Sequence, residues 1–184
     1  MNVYDFDKTI YHGDSTFRFY LFCMKRHKKI LLLVPSLAGA FLRYSFSSKY
    51  SKTQFKEVMY RFLGYVDAEK DVEDFWQENI KRIKKWYLDT QKEDDVIISA
   101  SPEFLLKPIC DKLGIKYLMA SRVDAHTGKY TGENCHGKEK VRRFREMFGD
   151  AEIDEFYSDS YVDFPLVEIS KYSMRVKGEK LVKW

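Results

Sequence analysis

The chain opens on a short apolar run that ends in two aspartates one residue apart: Val3-Tyr4-Asp5-Phe6-Asp7, followed by Lys8 and Thr9. Side chains alternate along an extended strand, so Asp5 and Asp7 leave on one side and Phe6 on the other. A strand can keep such a pair only where its carboxyl end opens to a ligand, and open α/β sheets bind their ligands there. Two neighbouring carboxylates repel unless a cation joins them or one takes up a proton. The feature predicts a metal, an acid/base pair, or both.

The rest of the chain supplies a sheet around that strand, read as Val3–Phe6. Residues 95–184 alternate strand-like and helix-like segments. Strands are expected at Asp95–Ser99, Ile115–Ala120, Ile153–Tyr157, Tyr172–Val176 and Lys180–Val182, with a small hairpin over Arg122–Thr131. Helices are expected at Pro102–Leu113, with proline at its start and Gly114 at its end, at Lys138–Phe148, and briefly at Pro165–Ser170. This rhythm implies an α/β fold: a Rossmann-like, mostly parallel sheet with helices on both faces. Between the first two strands lies a stretch that reads as helix. Asp14 or Ser15 caps a helix running to about Lys28, and a more apolar helix covers Ile30–Tyr44. Ser51 or Thr53 caps Gln54–Leu63, and Asp67–Trp86 carries apolar residues at helical spacing. The expected division is a catalytic core of residues 1–13 and 91–184, with residues 14–90 as a helical cap inserted after the first strand.

With 184 residues, 45% of them hydrophobic and 33% charged, the chain forms one globular unit with room for one insertion, and disorder is excluded. The net charge of +4 suits an anionic small substrate or an anionic membrane surface and implies no nucleic-acid partner. Three cysteines, Cys23, Cys110 and Cys135, are odd in number and far apart, which predicts a reducing, cytoplasmic setting and neither a disulfide framework nor a zinc site. No leader precedes the aspartate pair, which agrees with that expectation. Cys135 and His136 read as structural, because adjacent side chains point apart and no ligand cluster follows.

Four signals fall at strand ends or helix starts: Asp5-Phe-Asp7-Lys-Thr9, Ser99-Ala100-Ser101, Gly137-Lys138-Glu139-Lys140, and Ser158-Asp159-Ser160-Tyr-Val-Asp163. In this order the chain resembles the haloacid dehalogenase superfamily of phosphatases and phosphotransferases. The helical insertion resembles the cap of its phosphoserine-phosphatase-like subfamily. The resemblance implies a Mg²⁺-dependent phosphomonoester hydrolase. It makes Asp5 the nucleophile, forming an aspartyl-phosphate, and Asp7 the acid and then the base, with Mg²⁺ held by Asp5, the Asp7 carbonyl, Asp159 and Asp163. Asp163 would hold a Mg²⁺-bound water or the catalytic lysine. Thr9, Ser99, Ala100 and a lysine would surround the phosphoryl group, and Thr9 also reads as a hydroxyl that positions the aspartate loop. That lysine is either Lys140, whose neighbours Val141 and Phe144 let its helix pack while the amine faces the site, or Lys138, which lies closer to Gly137.

The substrate is less constrained. Asp14 lies where phosphoserine phosphatases place an acid for the substrate amine, though it serves equally as a helix cap. The glycines those enzymes carry beside the second and fourth motifs are replaced here by Ala100, Ser101, Ser158 and Ser160. A basic run, Lys25 to Lys29, leads into the apolar residues 30–42, too short a stretch to span a bilayer and interrupted by Pro35. Two readings fit it. Either the apolar helix packs inside the cap with a solvated basic turn before it, or residues 25–42 rest on an anionic bilayer. The first suits a small phosphorylated metabolite. The second suits a lipid or isoprenoid phosphate, and by resemblance some relatives act on phosphatidylglycerol phosphate. A catalytically inactive binding module on the same fold is the alternative from outside the enzymes.

Overall fold

The computed structural model describes residues 1–184. Its centre is a six-stranded sheet in the order β3-β2-β1-β4-β5-β6, with β1 at Asn2–Tyr4, β2 at Val96–Pro102, β3 at Tyr117–Ser121, β4 at Ile153–Ser158, β5 at Ser170–Lys177 and β6 at Lys180–Lys183. All neighbours pair in parallel except β5 and β6, which form an antiparallel hairpin at one edge. The expected α/β, mostly parallel sheet is the observed one.

Strand alternation explains how the sheet is covered. Val3, Val96, Ile98 and Phe156 point to one face, where they meet Phe144 of helix α7 (Lys138–Phe148) and Leu166 of α8 (Phe164–Val167). Tyr4 and Ile97 point to the other face, toward helices α1 (Ser15–Arg26), α4 (Ala68–Asn79) and α6 (Glu103–Lys112). Burial on both faces is why β1 and the first half of β2 read as continuous apolar runs. The same apolar cluster takes in Phe19, Phe62 and Phe75 from the insertion, so inserted helices and sheet share one core.

Several elements differ from the sequence reading. The segment Asp67–Trp86 is not one helix: α4 stops at Asn79, a 3-10 turn covers Ile80–Arg82, and α5 spans Lys85–Thr90. The break is tertiary. The Lys84 amide donates to the Ile10 carbonyl at 2.8 Å, and Ile83 bridges to Tyr11, so the chain is pinned in extended form against the loop after β1. Helix α3 covers Lys52–Tyr60, because Ser51 and Gln54 form a reciprocal cap that fixes the earlier start. Pro102 closes β2 and precedes α6, and the hairpin expected at 122–131 reduces to a single bridge between Val123 and Tyr130.

The apolar segment departs most. A 3-10 turn at Lys28–Leu33 runs into α2, Val34–Phe46. Pro35 does not interrupt it, since it sits in the first turn of α2, where no helical hydrogen bond is lost. The continuous helical run Lys28–Phe46 has 19 residues, and its most apolar 18-residue stretch has a mean hydropathy of 1.3, so by length and composition it could cross a membrane, and the expectation that it is too short fails. Nor does it pack inside the cap. Only 11% of it is buried, and within α2 only Ala40 is.

Candidate active site

The backbone of the first motif is bent by its own local chemistry. Lys8 is the single non-glycine residue with positive φ, at 59°, which turns the chain sharply between Asp7 and Thr9. Lys84, almost fully buried, holds this turn: its Nζ donates to the Lys8 carbonyl at 2.7 Å and to the Gly178 carbonyl at 2.5 Å. A lysine from the insertion thus ties the aspartate loop to the β5–β6 turn.

Above the carboxyl ends of β1, β2 and β4 lies a cleft of about 430 Å³, lined by Asp5, Asp7, Asp14, Ser99, Ala100, Ser101, Lys140, Asp159 and Asp163 among others. At its floor Lys140 Nζ donates to Asp5 Oδ1 at 2.7 Å and to Asp163 Oδ2 at 2.8 Å. Gly137, at φ 60° and ψ −125°, opens α7 in a conformation suited to glycine and aims the helix's first turn at this floor. Lys140 is 2% exposed, whereas Lys138 lies on the exposed side of the same turn.

The other motif residues divide sharply. Ser99 lines the cleft from the middle of β2 and accepts a hydrogen bond from the Ser101 amide at 3.1 Å. Asp159 reaches the cleft from the end of β4, and its amide donates to Thr9 Oγ1 at 3.0 Å. Thr9 does not reach the cleft, which corrects its placement beside the phosphoryl group. It is fully buried, and its hydroxyl is used between Asp5 Oδ2, 3.3 Å away, and the Asp159 amide. Asp163 accepts from both Lys140 and Ser158 Oγ (2.7 Å), so it anchors the lysine. Asp14 caps α1 by accepting from the Phe17 amide at 2.8 Å and also faces the cleft.

Asp7 is held at both oxygens, by the Ser15 amide at 2.5 Å and by the Ser101 hydroxyl, which has Thr16 Oγ1 2.9 Å behind it. Serines stand where the resemblance expects glycines, and two of them, Ser101 and Ser158, direct hydroxyls onto site carboxylates.

Burial raises the Asp7 carboxyl to about 6, with the charge of Asp14 adding to the rise. Burial likewise raises Asp5, against the opposing pull of Lys140. Asp159 is raised by burial too, with Lys8 opposing.

Five carboxylates therefore line one cleft, and one ammonium is bonded to two of them. This excess of hard oxygen donors fits a divalent cation. No three acidic side chains converge closely enough to cage one unaided. That is compatible with Mg²⁺, which keeps several waters and takes few protein ligands.

Sequence reasoning missed the roof of the cleft. Lys52 and Lys56 come from α3, far away in sequence. Lys56 Nζ donates to the Ala100 carbonyl at 2.9 Å, and Lys52 Nζ lies 3.3 Å from His136 Nε2. His136 lines the cleft as well, while its neighbour Cys135 is a buried free thiol. Phe17, Tyr44, Phe55 and Met59 complete an apolar wall. Only the spacing Lys52/Lys56, which places both on one helix face, could have marked them.

The sequence profile of haloacid dehalogenase-like hydrolases matches residues 3–168. The chain belongs to this family. A probable phosphatase of Mycobacterium tuberculosis is 39% identical over 94 residues, 47% of this chain and 33% of that protein. Protein CicA of Caulobacter vibrioides is 35% identical over 81 residues, 41% of this chain and 36% of that protein. The chain thus matches about a third of the length of these curated relatives. Among solved structures, a protein of unknown function from Bordetella pertussis Tohama I superposes with a TM-score of 0.74 at 20% identity, covering 94% of this chain and 87% of that one. A phosphoserine phosphohydrolase-like protein from Francisella tularensis gives 0.59 at 16% identity, covering 97% and 90%. At these identities the likeness is one of fold.

Proposed function

We propose that the chain is a Mg²⁺-dependent phosphomonoesterase that works through an aspartyl-phosphate on Asp5. The observation that carries this reading is Lys140, buried at the cleft floor and bonded to both Asp5 and Asp163, with Asp7 two residues along the same turn. Asp5 attacks phosphorus, the ester P–O bond breaks, and the departing alkoxide takes a proton from Asp7. Asp7 then takes a proton from water as the water oxygen attacks phosphorus. Inorganic phosphate leaves and the Asp5 carboxylate is restored. Lys140 and the backbone around Ser99 and Ala100 stabilise the charge that spreads over the phosphoryl oxygens. Asp5, the Asp7 carbonyl and Asp159 would hold Mg²⁺, which when bound neutralises the repulsion between carboxylate and phosphate dianion. Asp163 fixes the ammonium of Lys140.

With the core at 1–13 and 91–184 and the cap at 14–90, the core supplies the chemistry and the cap closes over the leaving group. Lys52 and Lys56 on the roof favour a substrate with negative charge beyond the reacting phosphate. A small phosphorylated metabolite meets that description. A lipid or isoprenoid phosphate is the second reading, favoured by one observation: Tyr44 of the exposed apolar helix α2 also lines the cleft. Hydrolysis of p-nitrophenyl phosphate with Mg²⁺, measured beside Asp5→Asn, tests the reaction. Turnover that the substitution abolishes supports it. A wild type no faster than the variant would make the chain an inactive binding module.

A further inference from the structure

Helix α2 has one inward stripe. Leu33, Leu37 and Ala40 face the insertion, and Phe41 and Tyr44 meet Phe55 of α3 with ring centroids 6.1 and 5.5 Å apart. Apart from Arg43, everything else on the helix is apolar or small, and it faces outward. Leu32 is 74% exposed and Phe46 85%, and Leu31, Val34 and Leu42 are exposed as well. From Ile30 to Phe46 the one charged residue is Arg43. A helix that is apolar all round but covered on one side only leaves a contiguous apolar face that water does not favour.

The charge around that face is one-signed. Residues 15–56 contain nine lysines and arginines and no aspartate or glutamate, although the whole chain carries only +4. The remainder of the molecule is therefore net negative. Arg26 is tied to Asp74 at 2.6 Å, but Lys25, Lys28, Lys29, Arg43 and Lys49 are exposed at the two ends of the apolar segment. An apolar strip flanked by solvated cations matches the surface of an anionic bilayer, with acyl chains for the strip and headgroup charge for the lysines.

We propose that the outer face of α2 and its basic flanks seat this protein on an anionic membrane surface. The chain runs into the segment from buried Ile30 and returns through α3 to buried Tyr60, both in the core cluster, so α2 lies along the bilayer instead of crossing it. A second copy of the chain is a poorer partner. A two-fold contact would bring the same acid-free basic collar against itself. The cleft lies beside the docked face, because Tyr44, Lys52 and Phe55 of the α2–α3 arch are part of its wall. The phosphate that reaches Asp5 is then a headgroup presented at the bilayer, a consequence that rests on the phosphatase reading above.

The test is sedimentation of the full chain with vesicles of phosphatidylcholine alone or with about 30 mol% phosphatidylglycerol, an amount on the order of that in anionic cell membranes. Measurements are made at low and high salt, for wild type, Leu32→Glu/Phe46→Glu, Lys28→Glu/Lys29→Glu and Asp5→Asn. The expected result is binding that needs the anionic lipid, weakens at high salt and falls more than tenfold in both double variants. Their thermal unfolding and p-nitrophenyl phosphate turnover should stay at wild-type level. Asp5→Asn binds like wild type, so vesicle binding without phosphatase turnover would leave the docking standing and remove only the substrate consequence. Four results overturn the proposal: no vesicle binding, equal binding by the double variants, a concentration-dependent dimer that the variants dissolve in place of vesicle binding, or binding that survives alkaline extraction as a spanning helix would.

Discussion

Replacing Lys140 with methionine keeps the length of the side chain and removes its charge. The ammonium is 2% exposed and lies 2.7 Å from Asp5 and 2.8 Å from Asp163, themselves 8% and 3% exposed. Two carboxylates would then be buried without their shared counter-charge. Breaking a buried ion pair by removing one partner costs about 3–5 kcal/mol. Protonation or a bound cation offsets part of this, so a loss of about 3 kcal/mol is expected at pH 7.5 without Mg²⁺. For a chain of this size that corresponds to a fall in melting temperature of roughly 6–12 °C. The sign of the pH dependence follows from the carboxylates. The ionised form of Asp5 is what the variant strands, and burial already raises that carboxyl, so the deficit grows as pH rises through neutrality and shrinks as pH falls and Asp5 takes up a proton. Turnover of p-nitrophenyl phosphate should drop at least about 10²-fold, the usual loss for one transition-state charge donor. Lys138→Met is the control, with an expected stability change within about 0.5 kcal/mol, as for exposed surface positions. Calorimetry and steady-state kinetics on both variants decide it. A Lys140 variant that melts and turns over like wild type, or a Lys138 variant that carries the loss, would refute the reasoning.

Thr9→Val leaves the partly buried Asp159 amide without its acceptor and should cost about 1 kcal/mol, lowering kcat more than it changes KM. Asp95 is fully buried at the start of β2 with one carboxylate oxygen unpartnered, and burial raises its carboxyl to about 6. Its ionised form therefore opposes folding once pH exceeds the unfolded-state value. Asp95→Asn should stabilise by about 1 kcal/mol at pH 7.5, with the gain disappearing below about pH 4, measured by urea denaturation across pH. Gly128 has φ +72° and an added Cβ would sit 2.5 Å from the Tyr60 carbonyl oxygen, so Gly128→Ala should lose about 2 kcal/mol or more in the same assay.

What could be read from the sequence followed the range of the forces involved. The strand at Val96 announces itself because burial on both faces demands an unbroken apolar run. The Asp5–Asp7 pair and the Gly137–Lys140 spacing are local statements about one turn each. The interruption at Ile83 and Lys84 is not local. It depends on Ile10, far earlier in the chain, so helical spacing ran straight through it. Thr9 could be placed in the right loop, but its direction is set by the Asp159 amide arriving from β4. Lys56 and Lys52 reach the cleft only because α3 folds back over it. The apolar stretch at 30–42 showed its composition plainly. Composition alone predicts burial, and only the packing shows that no element of this chain covers the outer face of α2.

Covalent chemistry at Asp5 is the central claim, and trapping the intermediate tests it most directly. Borohydride added during p-nitrophenyl phosphate turnover reduces an aspartyl-phosphate to homoserine, which peptide mass spectrometry locates by residue. The predicted result is that modification at position 5 alone, dependent on substrate and Mg²⁺. Undiminished turnover with position 5 unmodified, or with the modification at another carboxylate, would contradict it.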